Sequence, residues 1–495
     1  MAYCAVYLNR ISREKNCPEK PEDPLILEKE IPHDARFTYV DFVPSVHQFS
    51  GNSQVEYHSF RFLVDTCNAW LKRNPIWEVI NCETVKLSYR HNLTTMVSRW
   101  EVQTNPATNP WVTPTRGDFE TSLKVLRVWI KRREEIRVKD PESDVPVLNY
   151  MDFEPLRKEG NFENLDDVVA RINAKIRAQG FDGRRLITIE SLNVEANADW
   201  KIDPELSVVE ESSRHVTIIR LFYEQGDCLE EEIGIADFTP HHLSGGSLFK
   251  RPHFEQFSSI IDRASQWLSD NPEINFLNAQ SIDIKLKSRV LANIVSCHFA
   301  THANTVTKVD TRACSHTEHG DYVHILRVAY TKPFEPEVEH TGGPPPPAPI
   351  YLSSKVFLVT KNDVLDDIHH RINNWIKEAS QVEERFKSRL LSAETVEVFA
   401  KDEHNLEKAL EQTFQCNRLG SMNTFAFSAI RVYFDVGFYG RQNRSMSTMP
   451  AINTGTTSGG GATGGLAFAP IGGADDSPTS PKPDFRSRST SCACM

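Results

Sequence analysis

Val125-Leu126-Arg127-Val128-Trp129-Ile130 decides how this chain is read: a strand-like apolar run with one arginine at its centre. The phrase returns as Thr217-Ile218-Ile219-Arg220-Leu221-Phe222, as His324-Ile325-Leu326-Arg327-Val328-Ala329 and as Ser428-Ala429-Ile430-Arg431-Val432-Tyr433. β-Branched and aromatic residues packed into so short a run predict a strand. Its recurrence predicts a repeated structural unit.

Working outward from the arginine strands, the flanking sequence falls into two patterns. In the first, a strand ending Asp41-Phe42-Val43-Pro44 leads to a helix with apolar residues Phe60, Leu63, Val64, Cys67, Trp70 and Leu71. That spacing is the stripe of a helix lying on a sheet. The same order follows Asp237-Phe238-Thr239-Pro240, with Phe257, Ile260, Ile261, Ala264, Trp267 and Leu268. Both helices run into Asn-Pro, Asn74-Pro75 and Asn271-Pro272, and proline disfavours helical geometry in the residue before it. Cys67, inside the first stripe, is expected to be a small buried hydrophobe. In the second pattern, Leu165-Asp166-Asp167-Val168 matches Leu365-Asp366-Asp367-Ile368. The acidic pairs belong at helix starts, where the macrodipole favours negative charge. Asp152-Phe153-Glu154-Pro155 ties this second pattern to the first.

The order is therefore A, B, A′, B′, four repeated β-α-β-β modules of an α+β fold with antiparallel sheets covered by helices. Residues 1–34 form an N-terminal extension. The modules are placed at 35–135, 147–226, 230–333 and 349–440, and residues 441–495 form a Gly/Ser/Thr-rich disordered tail. A and B are expected to pack as one half and A′ with B′ as the other. The arginines Arg127, Arg220, Arg327 and Arg431 are expected on a solvent face rather than facing a shared ligand groove, because strand side chains alternate and charged groups are seldom buried. Lys139–Asp144 reads as an exposed turn. The run Gly342–Pro349 reads as a stiff polyproline spacer rather than an SH3 or WW ligand.

Composition narrows the function. At 495 residues with 39% hydrophobic content the chain can bury sizeable cores, and a net charge of −11 argues against nucleic acid as the main partner. No stretch has the length of a membrane span, and the apolar start Met1–Leu8 is too short for a signal-peptide core. The ten cysteines have no paired framework. A cytoplasmic protein is expected.

The sequence closes with Ser491-Cys492-Ala493-Cys494-Met495, which has the form of a prenylation box. Cys492 is the acceptor position, Met495 favours farnesyl, and Cys494 stands where an aliphatic residue is preferred. One prenyl chain gives only reversible membrane binding, and the nearby Lys482, Arg486 and Arg488 add a weak basic signal.

Catalytic signatures do not emerge. There is no Gly-x-Ser-x-Gly elbow, His-Glu-x-x-His, Walker loop or dinucleotide fingerprint in a structured context. The densest group of metal-ligand types is Cys297, His298, His302, Cys314, His316 and His319, with His324 nearby. These residue types suit zinc, but their spacing matches no finger or ribbon, so neither a metal nor another cofactor is expected. The sequence favours a non-enzymatic adaptor or scaffold, tethered to the cytosolic face of a membrane through prenylated Cys492 and holding protein partners. The alternative is a soluble protein binding a small molecule or lipid in a pocket between paired modules.

Overall fold

The computed structural model describes residues 25–27, 31, 35–50, 54–91, 100–102, 112–114, 120–133, 146–179, 183–210, 212, 214–226, 231–244, 252–287, 308–317, 320–334, 349–358, 365–381, 389–400, 405–417 and 425–437. Residues 139–144 and 342–348 of the two spacers, the tail with Cys492, and Cys297, His298, His302 and His319 lie outside the described residues. The architecture is mixed α+β, and every strand pairing among the described residues is antiparallel.

Four sheets share one plan, with an arginine strand in the middle of each. Sheet A orders outer strand Phe37–Val43, middle strand Glu120–Arg132 and inner strand Trp77–His91. Sheet B orders Leu148–Phe153, Arg214–Gln225 and Gly183–Glu195. Sheet A′ orders Glu231–Phe238, Gly320–Pro333 and Asn275–Lys287, and sheet B′ orders Leu352–Leu358, Phe425–Asp435 and Arg389–Ala400.

Between outer and inner strands each sheet carries a helix: α1 (Phe60–Arg73), α2 (Leu165–Gln179), α3 (Phe257–Asp270) and α4 (Leu365–Gln381). The stripe of α1 is buried throughout, Cys67 included, and burial pushes that thiol well up. The stops are local. Asn74 Nδ2 donates to Trp70 O at 3.0 Å and Asn271 Nδ2 to Trp267 O at 2.7 Å, satisfying carbonyls that the helix end leaves open. Asp166 and Asp167 sit in the first turn of α2.

The helices link the sheets in a cycle. Helix α1 packs sheet A against Leu148, Tyr150 and Phe222 of sheet B. Helix α2 packs sheet B against Ile233, Ile235 and Ala329 of sheet A′. Helix α3 packs sheet A′ against Ile350, Leu352 and Tyr433. Ile368 and Ile372 of α4 return to Phe37, Tyr39 and Trp129 of sheet A. This corrects the expected division into two halves: four junctions of one kind join the sheets head to tail, and none of them is a boundary.

Two further devices repeat at the junctions. An asparagine on the helix grips the next outer strand, whose free edge would otherwise expose unpaired backbone groups. Asn68 of α1 accepts from Leu148 N and donates to Leu148 O, both at 2.8 Å. Asn173 does the same to Ile233 at 2.9 Å, and Asn373 to Phe37 at 3.2 and 2.9 Å. The second device is a donated strand, taken from the connection between one sheet's inner and middle strands. Val208–Glu210 pairs with the middle strand of sheet A, Ser315–Thr317 with that of B, and Phe414–Asn417 with that of A′. Val112–Pro114 pairs with sheet B′ and closes the cycle.

Candidate functional site at the inner strands

Arg127, Arg220, Arg327 and Arg431 are each at most 2% exposed. The expected solvent face is thus corrected. A strand has such a face only when one side of its sheet is open, and here each sheet lies between its own helix and the preceding one. Burying a guanidinium is costly unless its donors are satisfied and its charge is paired.

For Arg127, Arg220 and Arg327 the sheets provide both. Arg127 Nε and Nη2 donate to Asp41 Oδ1 and Oδ2 at 2.7 Å, a bidentate pair set by Asp41 lying opposite Arg127 in register. Arg220 pairs in the same way with Asp152 at 2.7 and 2.6 Å, and Arg327 with Asp237 at 2.7 and 2.9 Å. Burial alone would raise the Asp237 carboxyl, but Arg327 and then Arg312 hold it below its ordinary value. The planar groups also stack: Arg127 lies 4.0 Å over Tyr39, Arg220 4.0 Å over Phe60 of α1, and Arg431 4.1 Å over Phe257 of α3.

The remaining guanidinium nitrogen reaches across a junction. Arg220 Nη1 donates to Thr84 Oγ1 of sheet A at 3.2 Å, Arg327 Nη1 to Ser191 Oγ of B at 2.9 Å, and Arg127 Nη1 to Thr395 Oγ1 of B′ at 2.7 Å. Arg431 Nη1 donates to Ser281 Oγ of A′. Each hydroxyl belongs to an inner strand, whose free edge is closed by an acid or amide from the neighbouring sheet. Thr84 N donates to Glu190 Oε1 at 2.6 Å, Ser191 N to Gln280 Oε1 at 2.8 Å, Ser281 N to Glu394 Oε2 at 2.6 Å and Thr395 N to Glu83 Oε2 at 2.9 Å. Inner strands A, B, A′ and B′ are thereby fastened in a closed circuit.

A second layer lies three residues earlier, where the inner strands bulge. Thr188 Oγ1 accepts from Cys82 N at 3.0 Å and donates to Asn81 Oδ1 at 2.7 Å. Asn278 brackets Ile189 at 3.0 and 3.2 Å, and Asn81 Nδ2 donates to Ala393 O at 2.5 Å.

Chemically the circuit is engaged with itself. Thr84 Oγ1 donates to Glu190 Oε2 at 2.8 Å while accepting from Arg220, so its hydroxyl has neither a free proton nor an adjacent free base. Burial raises Glu190, and burial raises Glu83 to about 7 against the opposing pull of Arg127. Perturbed carboxyls often mark active sites, but here both are explained by enclosure within a structural network.

Sequence reasoning selected the arginines and missed their partners. The signal was present, because each inner strand carries an acid or amide followed by a hydroxyl: Glu83-Thr84, Glu190-Ser191, Gln280-Ser281 and Glu394-Thr395. Of the metal-ligand types, Cys314 is buried in the core between sheets B and A′, and His316 stacks on His215 with ring centroids 5.2 Å apart. Among the described residues no group of three or more His, Cys, Asp or Glu side chains is placed to hold a metal. Comparison with protein-family models, curated proteins and solved structures found no match.

Proposed function

We propose that this chain is a non-enzymatic scaffold, in which four copies of one β-α-β-β module close into a ring that presents protein-binding surfaces at the cytosolic face of a membrane. One observation carries the scaffold reading. The residues best equipped for chemistry, the buried arginines with their carboxylates and hydroxyls, are spent on one another across all four junctions. A circuit satisfied in this way favours a single rigid arrangement. The donated strands support the same reading, since each unit completes its predecessor.

The tether rests on Cys492-Ala493-Cys494-Met495 having the form of a prenylation box. Farnesyl on Cys492 would place the ring reversibly at the membrane, with Lys482, Arg486 and Arg488 adding weak attraction to anionic lipid. Membrane fractionation of the intact chain against Cys492→Ser, with mass spectrometry of the C-terminal peptide, tests it. The proposal expects a farnesylated, trimmed terminus and a membrane fraction lost in the variant. An unmodified terminus with both forms in the soluble fraction would refute the tether.

A further inference from the structure

Sheet A breaks a pattern that sheets B and A′ share. Three residues before each strand arginine, the middle strand faces a polar residue on the inner strand. In sheet B these are Thr217 and Asn193, joined by a 2.7 Å hydrogen bond. In sheet A′ they are His324 and Asp283, also joined at 2.7 Å. In sheet A they are Lys124 and Lys86, two like charges directly opposite in register. Like charges so placed repel.

Lys86 escapes by reaching across the junction to Glu195 Oε1 of sheet B. Lys124 has no such exit. It is fully buried, and its ammonium has no hydrogen-bond partner. Burial lowers it to about 8, with Glu195 raising it and Lys86 and Arg220 lowering it in turn. Two more buried polar atoms in the same neighbourhood lack partners: Glu195 Oε2 and His215 Nδ1. His215 lies opposite Glu195 in sheet B and is stacked on His316, while Lys285 donates to Thr317 O and Oγ1 at 2.7 Å just beyond. Burial lowers His316 to about 4, and His215, Lys285 and Lys86 lower it further. Lys86, Lys124 and His215 thus gather about Glu195, with His316 stacked on His215, Lys285 acting on His316, and Asp203 within electrostatic reach of Lys124.

We infer that the junction of sheets A and B is a binding site for an oxyanion carrying one acidic proton, of which inorganic hydrogen phosphate is the simplest. The three unpartnered atoms define that chemistry. An oxyanion oxygen accepts from the Lys124 ammonium and another from a proton on His215 Nδ1, while the anion's own O–H donates to Glu195 Oε2. A fully deprotonated anion of the same shape meets an acceptor at Glu195 and is disfavoured, since an unmade hydrogen bond in a buried site costs more than a made one gains. Phosphate is therefore selected over sulfate. The inference gives a ligand class to the small-molecule reading of the sequence, and it does not depend on the membrane tether.

The test is calorimetric titration of the unlipidated full-length chain with inorganic phosphate and, separately, with sulfate. Saturable phosphate binding is expected, with sulfate weaker by about tenfold or more, a difference of about 1.4 kcal/mol. Lys124→Met should abolish phosphate binding while raising the melting temperature of the ligand-free protein, because it removes an unpaired buried charge. Glu195→Gln should erase the preference for phosphate over sulfate. Should Lys124→Met fail to fold, Lys86→Gln serves instead and should weaken both anions. In a parallel arm, vesicles of phosphatidylcholine with and without a phosphoinositide monophosphate are sedimented with the protein. Lys124-dependent binding to the phosphoinositide vesicles alone would support the same oxyanion chemistry and assign its source to a lipid headgroup. No saturable binding in either arm, as when a buried water serves the three atoms, would overturn the inference. So would phosphate binding equal in wild type, Lys124→Met and Lys86→Gln.

Discussion

Val356 lies directly opposite Arg431 in sheet B′, the position that Asp41, Asp152 and Asp237 hold opposite the other three arginines. The consequence is visible at the guanidinium. Arg127, Arg220 and Arg327 each donate Nε to their aspartate at 2.7 Å, whereas Arg431 Nε is buried without a partner. Arg431 relies on Glu394 of the inner strand at 3.1 Å, and Tyr433 adds its hydroxyl to the same oxygen at 2.7 Å.

Val356→Asp should therefore stabilise the protein despite introducing a charge. Supplying the missing bidentate partner satisfies an orphaned donor, a gain of about 1–2 kcal/mol after the loss of valine packing. Urea unfolding of the full chain measures it. A destabilised variant would mean that the four arginine sites are not equivalent in the way their registers indicate.

At the Arg220–Asp152 pair the reverse experiment applies. Asp152→Asn leaves a buried guanidinium without its counter-charge and should cost about 3–5 kcal/mol. Replacing both partners with apolar residues, Arg220→Met with Asp152→Leu, should cost less than the sum of the single changes, since neither charge is then left buried alone. Additive losses in a double-mutant cycle would show that the two side chains act independently.

Glu83 ties stability to pH. Its ionised form is disfavoured in the fold, with the carboxyl raised to about 7. An acid raised on folding carries no penalty below its unfolded value, acquires one as pH climbs through the interval, and bears it fully above the folded value. Stability should therefore fall between about pH 4.5 and about pH 7 by about 3 kcal/mol from this group. Gln280 already fills the corresponding place in sheet A′ and accepts from Ser191 N at 2.8 Å. Glu83→Gln should thus be tolerated and should flatten this slope in unfolding curves taken across the interval. An unchanged slope would place the titration elsewhere.

Asn373 should be the grip on the last junction. It holds Phe37 by both backbone groups and also accepts from Arg36 N at 2.9 Å. Asn373→Ala should cost about 1–3 kcal/mol, with faster hydrogen exchange at the Phe37 amide than at Leu148 or Ile233, whose grips are intact. Uniform acceleration at all three amides would point to global rather than local loosening. Helix α3 carries Ser265 at the matching position, so the junction of sheets A′ and B′ is held without this device.

Much of the fold could be read along the chain, because the signals are local. The stripe from Phe60 to Leu71, the Asn-Pro stops at Asn74 and Asn271, and the acidic start of α2 each depend on neighbours within a few residues. What stayed hidden depends on contacts between sheets. The burial of Arg127 follows from α4, more than two hundred residues away, covering the face on which Phe37, Tyr39 and Trp129 lie. Alternation alone assigns that face to solvent. The donated strands, such as Val208–Glu210 and Phe414–Asn417, are three or four residues long, too short to carry a period. Lys124 is hidden for a related reason: a lysine in a strand reads as solvated until its cross-strand partner proves to be Lys86.

The closed circuit of four junctions is the claim on which the rest depends, and the oligomeric state of residues 1–228 tests it most directly. This half contains sheets A and B but lacks Thr395, which meets Glu83 and Arg127, and Gln280, which caps Ser191. Light scattering with circular dichroism should find no folded monomer: the half is expected to unfold, or to pair with a second copy that restores four junctions. A folded monomer with cooperative unfolding would contradict the circuit and reinstate two independent halves.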